Sequence, residues 1–206
     1  MVHNLEKQKK ELESENDEEN SNLTGNVFLK IDKEKISNKI GIFGAIDEKL
    51  SMSIVSSLIL TNSELEPGED IEIYLSTVGG DVHEMFSIVD AINFVKKTRD
   101  VSVFCLGKVM SAGVLIASTA TNGKRYSMPN TRFMIHEIIF DLGGSATHNS
   151  IEYTENLFLQ EKYINSICSL TKLTKSKIQK LIKGGHHYYF DAEQAKKHGI
   201  IDEIIQ

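Results

Sequence analysis

Two stretches of the chain repeat one local grammar, and that repetition narrows the folds open to it. Residues 71–95 run from an apolar segment, Ile71-Glu72-Ile73-Tyr74-Leu75, through the glycine pair Gly79-Gly80 into a helical stripe of Val82, Met85, Phe86, Val89 and Ile92. Residues 101–120 do the same. Val101-Ser102-Val103-Phe104-Cys105-Leu106 reads as a buried strand, Gly107 breaks it, and the small-residue run from Ala112 to Ala120 suits a tightly packed helix. Strand, glycine turn and helix in succession are the signature of parallel βαβ units.

The flanking segments extend the same α/β pattern. Lys39 to Gly44 reads as a short strand, and Asp47 is a plausible N-cap for a helix through Leu60. Asp81 with Glu84 makes a capping-box pattern at the start of the second helix. Gly123 to Asn130 gives a short strand and a turn, and Thr131-Arg132-Phe133-Met134-Ile135-His136 another strand that ends in a histidine. Residues 137–147 read as an exposed arm and 149–170 as a long helix, whose wide apolar face points to contact with a partner subunit. Thr174 starts a short helix through Ile182. Asp191 with Gln194 caps the last helix, Gly199 ends it, and Ile200-Ile201-Asp202 closes the chain as a strand.

Composition bounds the rest. The 206 residues, 40% of them hydrophobic, suffice for one good core, so a single domain with extensions is expected. Residues 1–25 are rich in Glu, Asn, Lys and Ser, lack aromatics and read as a disordered or processed tail; Val27 to Ile31 alternates weakly as a strand. The first 22 residues hold three Lys against seven acidic residues, so most of the net charge of −6 belongs to that tail. There is no basic patch for nucleic acid, no apolar run long enough for a bilayer and no signal peptide at Met1 to Glu6. Cys105 and Cys168 are expected to be free thiols in a reducing, cytoplasmic setting.

Chemistry concentrates at Lys108-Val109-Met110-Ser111-Ala112-Gly113. A serine between a strand and a helix has its hydroxyl at the open end of a sheet, beside N–H groups able to hold a developing oxyanion. The same residue also fits a simple N-cap. Gly79-Gly80 is likewise either a tight turn or a backbone that closely approaches a ligand. His136 at a strand end suits a base or a ligand, or a hydrogen-bonded histidine.

In this order and spacing, Lys39 to Gly44, Gly79-Gly80, Met110-Ser111-Ala112-Gly113, Gly123-Lys124-Arg125-Tyr126, Met128-Pro129-Asn130, Met134-Ile135-His136 and Ala192 to Asp202 resemble the ClpP family, the proteolytic subunits of Clp proteases. The resemblance covers about Lys35 to Ile205. It implies a crotonase-like α/β fold of repeated ββα and βαβ units over residues 26–206, with a projecting strand-helix handle at 137–170. It implies a homo-oligomer of two stacked seven-membered rings, a tetradecamer enclosing a proteolytic chamber. Unfolded polypeptides would be fed in by a Clp-type AAA+ ATPase. By resemblance Ser111 is the nucleophile, His136 the general base, and the amides of Gly79 and Ala112 the oxyanion hole. The subunit itself would need no cofactor and no metal, ATP being used by the partner.

The third member of the triad departs from the family pattern. His187 stands where the family has Asp, in a segment two residues longer than usual. A neutral imidazole can accept the N–H of His136 but cannot stabilise an imidazolium as a carboxylate does. Asp191, Asp141 and Glu137 are the nearby carboxylates, Asp191 being better explained as an N-cap. Val78 replaces the usual Pro before the glycine pair. Glu72 replaces a common aromatic in the strand of the ATPase pocket, where Tyr74 is kept. Three functions follow: an active serine endopeptidase, a weakly active or inactive ring subunit with a structural role, and, distantly, a crotonase-type acyl-CoA enzyme.

Overall fold

A computed structural model describes residues 37–139 and 143–206. The tail at 1–25, the strand expected at 27–31 and Asp141 lie outside these residues. The described residues form a seven-stranded sheet and six helices in the order β1 (Lys39–Ile46), α1 (Glu48–Glu64), β2 (Ile71–Gly80), α2 (Val82–Val95), β3 (Val101–Met110), α3 (Ala112–Thr119), β4 (Arg125–Ser127), β5 (Arg132–Ile135), α4 (Ala146–Leu170), α5 (Lys175–Ile182), β6 (Tyr188–Phe190), α6 (Ala192–His198) and β7 (Glu203–Ile204).

The repeated grammar becomes parallel pairing of β1 with β2 and of β2 with β3. Alternation in β2 buries Ile71, Ile73 and Leu75 on one face, and α1, α2 and α3 cover the sheet with Ile54, Leu58, Ile88, Ile92 and Leu115. Three helix starts are those the sequence predicts. Asp47 accepts from the Leu50 N–H, Asp81 from those of His83 and Glu84, and Asp191 with Gln194 forms a reciprocal box. Every residue of α3 is buried, so its small side chains are what allow close packing on the sheet.

β3 is the organising strand, and it differs from expectation. It does not end at Gly107 but runs on to Met110 through a register jump: Leu75 faces Cys105, and Thr77 faces Val109. Gly107 takes a positive φ of 61° there, a conformation open to glycine. The jump lets β3 change neighbours. Val103–Cys105 pairs with β4, and Lys108–Met110 pairs with β5. The turn between β4 and β5 is fastened at the changeover, because the Cys105 carbonyl accepts from the Met128 N–H and the Thr131 hydroxyl.

Two more segments correct the reading from sequence. Tyr188–Phe190 forms β6, antiparallel to β5, where no strand is evident from the sequence. The closing strand is Glu203–Ile204 rather than 200–202. Ile200 and Ile201 are instead core residues, placed as the chain leaves the left-handed Gly199 and the Ile200 N–H bonds back to Ala195. Beyond β5, residues 136–139 have no regular structure, and α4 begins at Ala146, earlier than the sequence suggests.

Candidate active site

Ser111 sits at the corner between β3 and α3 with φ 52° and ψ −118°. Among the described residues it is the one non-glycine with positive φ, so its backbone is held in a conformation that L-residues resist. Three bonds hold that corner. The Ser111 N–H donates to the Met134 carbonyl at 2.8 Å, its carbonyl accepts from the Val114 N–H at 3.0 Å, and the Tyr163 hydroxyl of α4 donates to the same carbonyl at 3.1 Å. Ser111 makes no side-chain cap, which leaves its hydroxyl for other work.

That hydroxyl meets His136. The His136 Nε2 lies 2.9 Å from Ser111 Oγ. Parallel pairing of β3 and β5 sets Met110 opposite Met134, so the strands deliver Ser111 and His136 to one end of the sheet. His136 is half-buried, and burial, followed by the charge of the neighbouring His187, pushes its pKa below the ordinary imidazole value; a hydrogen bond with the Glu137 main chain works the other way. The ring is therefore biased toward the neutral form that can accept a proton.

The end of β2 closes on the same corner. Gly79 has φ 92°, and a Cβ there would lie 2.6 Å from Ser111 Cβ, 2.9 Å from the Met110 carbonyl oxygen and 3.2 Å from the Ala112 nitrogen. Glycine is thus required by both conformation and space. Gly80 is just as confined, since a Cβ there would lie 2.1 Å from the Ile46 oxygen. Ala112 opens α3, and its N–H has no acceptor among the described residues. The Gly79 N–H is held by Thr77 Oγ1 at 2.9 Å, while the Thr77 hydroxyl donates to the Gly44 carbonyl at 2.6 Å.

The third position is filled as the ladder dictates. In the β5–β6 pair Ile135 faces Tyr188, so the next rung sets His136 beside His187. Their ring centroids are 5.0 Å apart at 47°, and the Tyr189 ring is centred 6.2 Å from that of His187. Neither the Glu137 nor the Asp191 carboxylate hydrogen-bonds or ion-pairs with His136; the Asp191 carboxylate is taken up by the Gln194 N–H at 2.8 Å. Among the described residues no group of three or more His, Cys, Asp and Glu is arranged to hold a metal ion.

Thr77 and Tyr163 are parts of the site that the sequence did not single out. Thr77 is fully buried two residues before Gly79. Tyr163 reads in the sequence only as one residue of the apolar face of α4. It is buried, which drives its phenol pKa upward, and its one polar atom is spent on the Ser111 corner.

A family model described as Clp protease matches residues 20–206, nearly the whole chain. The parallel sheet with its covering helices agrees with that fold, and no described helix is long and apolar enough to cross a membrane. A strained serine against a histidine at the end of a parallel sheet thus stands in a chain that belongs to the Clp protease family, as a peptidase subunit of the ClpP type.

Proposed function

We propose that the chain is a serine endopeptidase in which Ser111 Oγ attacks the peptide carbonyl and His136 Nε2 takes its proton. The 2.9 Å contact between those atoms carries the reading. His136 then returns the proton to the leaving amine, and water, deprotonated by the same imidazole, releases the acyl group from Ser111. The free Ala112 N–H is one donor for the oxyanion. Gly79 is the second, supplying its amide once Thr77 Oγ1 yields it. One such donor contributes about 3 kcal/mol of transition-state stabilisation. Neither a metal nor a bound cofactor enters these steps.

The subunit works as a homo-oligomer of two stacked heptameric rings fed by a Clp-type AAA+ ATPase that uses ATP to deliver unfolded polypeptides. Two surfaces support this assembly. Ile151, Tyr153, Leu157 and Phe158 leave an apolar stretch exposed on α4, the helix of the handle. Tyr74, Phe104 and Tyr126 stack across β2, β3 and β4 at 5.0 and 5.1 Å, half-buried at the sheet face, where the Tyr74 hydroxyl donates to Glu72. The free thiols of Cys105 and Cys168 suit a reducing cytoplasm.

A fluorophosphonate probe and a short fluorogenic peptide test the chemistry. Ser111 takes up the probe, and Ser111→Ala removes both labelling and cleavage; an assembled particle that neither labels nor cleaves refutes the reading. A second reading, a ring subunit of low intrinsic activity, is favoured by one observation: the group beside His136 is His187 rather than a carboxylate.

A further inference from the structure

We infer that Gln160 is a positioning residue for His136, acting through the peptide group that joins Glu137 to Ile138. The inference rests on the peptidase reading of Ser111 and His136 and adds to that site a side chain of α4 that acts at one remove.

A histidine base works only when its second ring nitrogen is held. His136 Nε2 lies 2.9 Å from Ser111 Oγ and must carry the lone pair that takes the serine proton, so the ring proton belongs on Nδ1. Burial, then the charge of His187, lowers the His136 pKa, and a hydrogen bond with the Glu137 main chain raises it. A bond that favours the protonated ring is one the ring donates, so the main-chain partner is the Glu137 carbonyl. That carbonyl takes the Nδ1 proton.

The carbonyl is itself held from behind. The Ile138 N–H, on the other side of the same peptide, donates to Gln160 Oε1 at 2.5 Å. The peptide is trans, and in a planar trans peptide the C=O and the N–H point in opposite directions. A grip on the N–H therefore aims the carbonyl at the base. The sheet ladder does not do this, because β5 makes its last rung at Ile135 and residues 136–139 have no regular structure. Two further observations support this part for Gln160. Its Nε2 is buried without a partner among the described residues, an unfavourable state that accompanies keeping Oε1 on the Ile138 N–H. Turning the amide over would set two donors against each other. Tyr163, three residues on and so on the same face of α4, holds the Ser111 carbonyl. One stretch of helix thus fixes both partners of the serine–histidine contact, the first by its carbonyl and the second by the peptide that follows it.

The test uses the full-length assembled protein and two substitutions. Gln160→Met removes the acceptor and keeps the length of the side chain, whereas Gln160→Glu keeps the acceptor. Ser111 labelling is followed with diisopropyl fluorophosphate, which carries no peptide, and turnover with a short fluorogenic peptide. Gln160→Met should lower the labelling rate and kcat by about tenfold, a fraction of what a general base supplies, with KM within about twofold of the parent. Gln160→Glu should stay within about threefold of the parent in both rates. Size-exclusion chromatography and a melting curve check that each variant assembles.

Labelling of Gln160→Met at the parent rate overturns the role of Gln160 and leaves the peptidase standing. So does a loss confined to KM, or a Gln160→Glu protein as slow as Gln160→Met. If Gln160→Met does not assemble, hydrogen exchange at the Ile138 amide of the parent decides: protection supports the grip, and exchange at the rate of an open chain overturns it. Absence of Ser111-dependent labelling in the parent overturns the peptidase reading and this inference with it.

Discussion

The hydroxyl of Tyr163 donates to the carbonyl of Ser111 at 3.1 Å, tying the middle of α4 to the strained corner 52 residues earlier. The bond runs to the main chain, so what it fixes is the backbone orientation from which the serine side chain projects.

Tyr163→Phe removes that bond and little volume. The buried carbonyl keeps its Val114 partner, so the expected cost is about 1 kcal/mol of stability. Peptide turnover should fall more than stability does, by about tenfold, because a loosened corner misplaces Ser111 Oγ. Urea unfolding and steady-state kinetics on the same preparation separate the two effects; equal kcat in both proteins would remove Tyr163 from the site.

Gly79→Ala introduces a methyl 2.6 Å from Ser111 Cβ at a residue with φ 92°. Backbone and serine cannot both stay in place. Turnover and fluorophosphonate labelling should drop by at least about a hundredfold while far-UV circular dichroism is kept. Gly80→Ala meets the Ile46 backbone at 2.1 Å and should instead lose the fold.

His187→Asp sets a carboxylate beside His136. It raises the His136 pKa, so the acid limb of the pH profile moves to higher pH, and it stabilises the imidazolium, so kcat above that limb rises. Removal of the corresponding carboxylate in a serine-protease template costs about four orders of magnitude. A gain of at least about tenfold is expected here, read from kcat against pH. An unchanged kcat would mean that His136 is already held by another group.

Arg125 and Asp202 form the most enclosed ion pair among the described residues, at 2.5 and 2.8 Å, with the Arg125 side chain 7% exposed. The same guanidinium caps the carbonyls of Leu170 and Gly199. Burial alone would raise the Asp202 pKa, but its bonds to Arg125 and the Gly123 N–H hold it below the ordinary value. The folded pKa is depressed, so its contribution is full above the unfolded carboxylate value near 4 and is lost as pH falls through the folded one. Asp202→Asn should cost about 3 kcal/mol at neutral pH, and the difference between the two proteins should shrink on acidification. Urea unfolding across that range checks both statements.

Local signals carry far in this chain. The strand-glycine-helix repeat, the caps at Asp47, Asp81 and Asp191 and the Ser111 corner are all set by near neighbours, and each is where the sequence puts it. What was hidden depends on distant pairing. Gly107 looks like a strand breaker, yet the sheet absorbs it because β3 gains a new partner there. Tyr188–Phe190 has no alternation of its own and is a strand because β5 offers an edge. Thr77 and Tyr163 carry no motif; their polar atoms acquire purpose only from what the fold sets opposite them.

The turn ahead of β6 has a consequence for how this enzyme can change. Gly184 and Gly185 both adopt positive φ, and a Cβ at either would touch nothing, so this turn can lengthen or shorten at little cost. The rung occupied by His187 is meanwhile fixed by pairing with β5. Length variation is thus uncoupled from chemistry: insertions are soaked up upstream, and a single codon decides whether the base is presented with an anion, a neutral ring or a cation.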